Sequence, residues 1–430
     1  MPNIFITPLV FTRGVLMNLG GYLNVARNLS SEYKKEFGSK VQKIGATFQV
    51  RKPQRFEGTT NVAYTPEPLA NIFTTITVDK TFGIHFDWNS IDKTLSIEQA
   101  NERYFKPAAL RIAHRHNADA ADFAFYNTFN TVGLPGVNPG AGSQDIPTLL
   151  GYYMGAGDKL VQQGLPENEA MNCIISRKMS SVFVGRVSSL FTPTEEIGKQ
   201  YQTGWKDPTG LGYRWYKDQG LHVHTGGSSL GTVPLVSGNN QTGPDGNNSS
   251  GTLLMKGLAS STTIAKKGDW FTIDGVYSVH PIYKTTTGEL QQFKLLQDLT
   301  SSGTTGTASF FPAITPTGQY QNVDAAPVDG AAIYFDMGTL ASPTLYASAV
   351  SRCALLLHKN AHAYVSVPLE GPEKGMGSIT EMQTDPDTGV TMRFTHSWDA
   401  ILSREITRID TLYGFGWLYR EMACVILGQN

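Results

Sequence analysis

Cysteine is nearly missing from this chain: Cys173, Cys353 and Cys424 are the only three in 430 residues. That number and scatter exclude a disulfide framework and a four-ligand zinc site. The three read as small buried hydrophobes of a reducing compartment. A charge surplus is missing too, with Lys and Arg at 35 against 36 Asp and Glu and a net charge of −1. Proteins that grip nucleic acid through many phosphates carry a basic excess, so contact with nucleic acid is expected to be weak and non-specific. No run approaches the ~20 apolar residues that span a bilayer, and no membrane partner is expected. The apolar opening, residues 1–17, lacks a basic leader and a small-residue cleavage site, which argues against a signal peptide. There is no phosphate-cradling P-loop and no dinucleotide fingerprint after a strand, so no cofactor is expected.

What is present is length, glycine and one long helical stretch. At 430 residues the chain can hold two or three domains without disulfide support. Gly (44) and Pro (22) concentrate between residues 133 and 342, which predicts turn-rich β structure there. Residues 96–132 form an alanine-rich amphipathic pattern opened by Ser96 and Gln99 at capping-box spacing. Pro107 is expected to kink or restart this helix. Leu110, Ala113, Ala120, Ala124 and Phe129 fall broadly along one side of it. A helix this long among β-rich segments reads as a strut.

Residues 1–45 read as an arm. Leu16, Leu19 and Leu23 share a helical stripe interrupted by Gly20 and Gly21. Two glycines cost roughly 1–2 kcal/mol of helix stability, so the arm needs a surface to dock on, either its own core or a neighbouring copy. Residues 46–95 read as a long hairpin in which Arg51, Lys52 and Arg55 surround Pro53 and are followed by Phe56 and Glu57. Those cations suit nucleic acid, for which three charges alone are too few, carboxylates of another subunit, or a solvated tip, and Glu98 and Glu102 at the start of the strut are candidate partners, since carboxylates favour a helix N-terminus.

Residues 133–223 alternate between helix and strand, as a compact mixed domain does. Helices are expected over 148–163 and from Ser176 to Leu190, with a short buried strand at Cys173–Ile175 between them. Residues 224–341 then show short strands and turn signals, Lys267-Gly268-Asp269 among them, and predict an inserted all-β small barrel. Within it residues 237–251, SGNNQTGPDGNNSSG, predict an exposed mobile loop carrying Asn239, Asn240, Asp245 and Asn247. Residues 342–361 read as helix, from the spacing of Ala347, Val350, Ala354 and Leu357. Tyr413, Phe415, Trp417 and Tyr419 at period two predict a closing strand that needs a sheet to bury it.

Chemical motifs are weak. Gly227-Ser228-Ser229-Leu230-Gly231 matches G-x-S-x-G, but a β-like segment follows where a helix is required. His222 and His224 would share a strand face without a nearby third ligand, and Asp385 to Gly389 reads as a turn rather than a calcium loop. No catalytic, cofactor or metal residues are assigned.

The order of parts resembles a tailed-phage major capsid (coat) protein, nearest the coat-protein family of short-tailed Salmonella-type phages. The residues that carry the likeness are Ile6-Thr7-Pro8, Gly45 through Pro53, Arg55-Phe56, Glu102-Arg103-Tyr104, Pro107-Ala108 and Lys267-Gly268-Asp269. The resemblance implies an α+β chain with the Hong Kong phage-type fold: N-arm 1–45, E-loop and flanking strands 46–95, spine helix 96–132, A-domain 133–223, inserted domain 224–341, and 342–430 completing the A- and P-domains. It implies that the loop bearing Arg51 to Glu57 lies over a neighbour and that the 237–251 loop meets a partner across a two-fold contact. Having only Asp245 for an acid, this chain departs from a salt-bridged contact there. Implied partners are further copies in hexamers and pentamers, scaffolding and portal proteins, and packaged DNA held weakly. The implied location is the virion, after assembly in the host cytoplasm. Extended arms and a near-zero net charge independently suit a subunit repeated many times in a shell. A β-rich decoration or tail protein is the alternative reading, and a serine hydrolase resting on Ser229 a third.

Overall fold

The computed structural model describes residues 8–33, 44–58, 66–69, 71–88, 101–139, 141, 146–166, 169–187, 209–227, 233–259, 263–335, 348–371, 378–385, 388–399 and 404–430. The opening capping box, Glu98 and the Ser229 motif lie outside these residues. The chain divides into two compact units, one formed by residues 1–50, 74–121 and 362–418, the other by 51–73, 122–361 and 419–430.

The first unit is organised by the 14-residue strand Arg404–Trp417. One of its sides pairs with Phe73–Trp88, from Thr77 opposite Phe415 to Trp88 opposite Glu405. Its other side is shared, Thr391–Asp399 taking the first half and His362–Val367 the second. The sheet order is Ala46–Arg51, Phe73–Trp88, Arg404–Trp417, Thr391–Asp399, Ser378–Thr384. Tyr413 and Phe415 are buried, but so is every residue from Ile409 to Gly416, while Trp417 and Tyr419 are half-buried, so the period-two spacing of the aromatics is not matched by an alternation in burial.

The long helix runs Lys106–Tyr126 after a single π turn at Asn101–Phe105, so regular α geometry begins one residue before Pro107, in the first turn where proline is tolerated. It is shorter than the sequence pattern predicts: Asn130–Val132 is a buried β-strand. Its buried side is Ala109, Ile112, Ala113, His116, Ala120, Ala121 and Ala124. Leu110 lies outside it at 38% exposed, correcting the expected stripe. Small residues let backbone approach closely, and two polar anchors fix the helix. His116 is fully buried with Nδ1 2.8 Å from the Tyr364 hydroxyl and Nε2 3.0 Å from Thr411 Oγ1. Burial, with Arg115 adding to it, pushes its pKa down to about 3, so this imidazole is neutral. Asp119 accepts the Tyr413 hydroxyl at 2.6 Å.

In the second unit a seven-stranded mixed sheet runs Asn130–Val132, Ala423–Gln429, Val350–His358, Met171–Ile175, Tyr213–Lys217, Thr209–Gly210, with Val223–Thr225 also on Val350–His358. The expected helix over 342–361 is therefore overturned: residues 336–347 are not described, and Val350–His358 is a central strand. Cys353 through Leu357 are each 0% exposed. A segment buried on both faces shows no period-two alternation, and a short apolar run of this kind cannot be told from a helix by spacing. Helices Ile146–Gln162 and Arg177–Val187 cover the sheet, as expected, with Tyr153, Phe183 and Trp215 packed edge to face.

The chain leaves this sheet after Val223–Thr225 and rejoins it beside the same strand at Val350. Between them six strands form an antiparallel sheet in the order Ile333–Phe335, Trp270–Ile273, Phe293–Leu295, Thr305–Phe311, Gly251–Lys256, Leu235–Val236. Its two edges join through Leu235 opposite Ala332, with Val236 N on Ala331 O at 2.9 Å and Ile333 N on Pro234 O at 2.9 Å. The module is thus a closed small barrel, filled by Leu253, Met255, Phe271, Phe293, Phe310 and Ile333. The aromatic closing strand is in fact two elements. Arg404–Trp417 ends before a 3₁₀ turn at Arg420–Met422, and Ala423–Gln429 enters the other sheet.

Candidate subunit interface

The arm leucines dock on their own chain. The first helix, Pro8–Leu19, stops before Gly20, and Leu16, Leu19 and Leu23 are 6%, 0% and 2% exposed. The helix packs on the strand Ser378–Thr384 and on the π turn, where Gly14 lets the Phe105 ring approach; a Cβ there would lie 2.4 Å from it. Beyond the helix, Asn117 takes the amides of Val25 and Ala26 on Oδ1 at 3.1 and 3.3 Å and donates to Tyr22 O at 2.8 Å. Sequence reading missed Asn117, whose only signal was a polar residue on the buried side of the helix. Of the two docking surfaces left open, the chain's own body is the one observed for these leucines. Leu19→Ala is accordingly expected to cost the unassembled subunit about 2–5 kcal/mol, read as a lowered urea midpoint; an unchanged midpoint would place the contact on a neighbour.

The basic hairpin has a mixed fate. Arg51 ends the strand Ala46–Arg51 exposed, its guanidinium 5.4 Å from the Phe73 ring centre. Lys52 donates to Asn248 Oδ1 at 2.6 Å and lies 5.0 Å from the Tyr419 ring centre. Burial pushes its pKa down to about 8 against the opposing pull of Glu421. Arg55 pairs with Glu421 at 3.0 Å, the carboxylate being almost fully buried. Phe56 stays 65% exposed. The Glu57 and Gly58 amides donate to Glu67 at 2.9 and 2.7 Å, holding the two sides of the loop together. Arg55's partner in the chain is thus Glu421, which sequence reading missed. Glu102 is exposed and 4.0 Å from Lys106 one turn on, and Glu98 lies outside the described residues. Beside this segment is a cavity of about 400 Å³ lined by Arg55, Phe56, Pro281, Ile282, Tyr419 and Glu421. Ile282 and Tyr283 stand 72% and 74% exposed.

The expected free loop at 237–251 is corrected as well. Asn239 Oδ1 accepts the Asp329 amide at 2.6 Å, and the Asn240 amide reaches Pro327 O at 3.0 Å. Asp245 adopts a left-handed conformation (φ 59) ahead of a 3₁₀ turn, Gly246–Asn248. Asn247 is 3% exposed, between Asn322 at 3.2 Å and Gln163 at 3.4 Å. The segment has few apolar residues because side-chain amides and backbone groups, rather than a hydrophobic core, hold it to the barrel.

The histidine pair is engaged in structure. His224 Nε2 lies 2.5 Å from Asp269 Oδ1, and His222 Nδ1 lies 2.6 Å from Asp122 Oδ1. Asp269 Oδ2 accepts the Gly227 and Lys266 amides at 2.9 and 2.7 Å, which ties the Lys267-Gly268-Asp269 turn to the strand before the barrel. Among the described residues no cluster of three or more His, Cys, Asp or Glu could hold a metal ion, and no helix is long and apolar enough to cross a membrane. Cys173, Cys353 and Cys424 are buried, as expected, and none forms a disulfide among the described residues.

No family model matches this chain, and no curated protein matches it. Among solved structures it is similar to one titled "Mycobacterium phage Che8", at 11% identity over 94% of this chain and 90% of that one, TM-score 0.45. It is similar to "Capsid structure of the Cyanophage P-SCSP1u" at 11% identity over 91% and 85%, TM-score 0.39. Over 24% of this chain and 94% of that one it is 35% identical to "CUS-3 coat protein I-domain", TM-score 0.18.

Proposed function

We propose that this chain is a structural shell subunit, and specifically the major capsid protein of a tailed bacteriophage, self-assembling into an icosahedral head around packaged double-stranded DNA. The observation that carries the reading is the distribution of exposed large hydrophobics. Phe56 and Leu69 (65% and 75%) lie on the hairpin, Ile282 and Tyr283 on a barrel turn, Ile379 and Trp398 (57% and 56%) on a terminal pair of strands, and Met17 (86%) on the first helix. Scattered single residues need no explanation, but neighbouring exposed pairs such as Ile282 and Tyr283 mark contact surfaces. Several separate surfaces suit a subunit that holds several neighbours at once, whereas one groove would suit a single ligand.

The reading supports the domain scheme of arm, loop, spine helix, mixed domain and inserted barrel, with hexamers and pentamers as the assembled units and scaffolding and portal proteins as partners. The role is architectural, without catalysis, and the shell's contact with DNA is non-specific. Electron microscopy of the protein expressed alone and with its neighbouring gene products tests it. Closed shells, tubes or spirals are expected; a monodisperse monomer at high concentration under all these conditions overturns the reading.

A further inference from the structure

The six-stranded sheet of the first unit ends in two strands that each have one neighbour among the described residues: Ala46–Arg51 at one edge and Ser378–Thr384 at the other. An exposed edge is a template for pairing with another chain, and these two differ in chemistry in a complementary way. On the first strand the exposed stripe is Thr47, Gln49 and Arg51, three hydrogen-bond donors at period two, alternating with the half-buried Ala46, Phe48 and Val50. The last strand carries unmet acceptors. Glu381 Oε2 and Gln383 Oε1 are shielded from solvent with no hydrogen-bond partner among the described residues, and they share a face with the exposed Ile379. Ser378 Oγ and Thr380 Oγ1 on the other face are in the same condition. The two edges are thus complementary in charge and polarity, a stripe bearing Arg51 at one and Glu381 with Gln383 at the other.

Resting on the shell-subunit reading, we infer that the Ala46–Arg51 edge of one copy pairs with the Ser378–Thr384 edge of the next. The sheet then continues from subunit to subunit, with Arg51 facing Glu381 and Gln49 facing Gln383 across the new strand pair. Side chains on neighbouring strands of one sheet face lie within about 5 Å, near enough for such pairs. Because the two edges are different strands of the same sheet, the contact is head-to-tail. It closes into a ring when the rotation between copies allows, which is the geometry a hexamer or pentamer needs. The hydrophobic pair Ile379 and Trp398, on adjacent strands, is covered by the same contact.

The test uses the full chain under conditions where it forms particles. In the variant Gln49→Cys/Gln383→Cys a short bismaleimide crosslinker is expected to give a ladder of multimers on a denaturing gel, absent from either single variant. The native cysteines stay silent because all three are buried. Arg51→Glu and Glu381→Arg, each alone, are expected to lower particle yield about fivefold or more, and together to restore it, since opposite charges across a strand pair attract and like charges repel. Thermal melting of the unassembled subunit checks that each variant folds. Particles that form normally in both charge variants, with no ladder from the cysteine pair, overturn the edge pairing and leave the shell reading standing. A wild-type chain that never assembles removes both.

Discussion

Gly414→Ala is expected to abolish recovery of soluble subunit. Gly414 sits in the long strand Arg404–Trp417, opposite Val365 on the neighbour His362–Val367. A Cβ added there would lie 1.9 Å from the Thr77 carbonyl oxygen and 2.6 Å from Val78 Cα. Both are backbone atoms of the adjoining strand, so no rotamer change relieves the clash. The register of that strand already shifts between Thr77 and Lys80, where it crosses the glycine, as a bulge does next to a close approach. Gly416 makes a second close approach, its added Cβ meeting Ile76 Cγ1 at 2.5 Å. Overpacking costs about 1–3 kcal/mol where side chains can yield, and displacing a central strand should exceed that. The control is Gly151→Ala, in the helix Ile146–Gln162, where an added methyl meets nothing within 4 Å. It should stabilise by about 0.5–1 kcal/mol through helix propensity alone. Equal soluble yields and equal urea midpoints for the two variants would show that the strands do not approach as described.

Which features were readable in the sequence follows from how local their causes are. The hairpin strands, the long helix, the covering helices and most barrel strands rest on alternation, helical spacing and turn residues within a few positions, and these appear in the structure. The barrel's closure was anticipated as an architecture, though not the pair that closes it, Leu235 with Ala332. The failures share a different cause. Val350–His358 reads as helix in sequence because a strand buried on both faces has no alternation to read. In sequence the helix runs on to residue 132 because the first breaker is Gly133, yet Asn130–Val132 leaves it to pair in parallel with Ala423–Gln429. Asn247 reads as part of a mobile loop because its partners, Gln163 and Asn322, are 84 and 75 residues away. The candidate interface shows the same split. Arg51 stands exposed, whereas Arg55 meets Glu421, 366 residues away, and spacing carries no information about such a pair. The turn Lys267-Gly268-Asp269 was legible as a turn; its work of receiving His224 was not.

Lys294 gives the second large effect, and it is a pH dependence. Its side chain is fully buried, with Nζ 3.5 Å from the Phe125 ring centre and a hydrogen bond to the Phe125 carbonyl near the end of the long helix. A cation at a helix C-terminus is favourably placed, but Asp269, the acid nearest in charge, is already bound by His224 and two backbone amides. Burial therefore dominates and pushes the ammonium pKa down to about 7, with Cys353, Asp269 and Cys424 opposing it only in part. In the unfolded chain this lysine titrates near 10.4, so between those values the unfolded state holds the extra proton. Stability must then rise with pH across that window and fall as pH drops towards 7. From pH 7 to 8.5 the contribution is about 1.5 kcal/mol. Lys294→Met keeps the stem and removes the titration, so urea midpoints measured at both pH values should climb less in the variant than in the wild type. Lys52, also pushed down by burial to about 8, adds a slope of the same sign to both proteins and cancels in the difference. If the two slopes are equal, Lys294 is not the buried base described, and the contact between Phe293–Leu295 and the end of the long helix is held by packing alone.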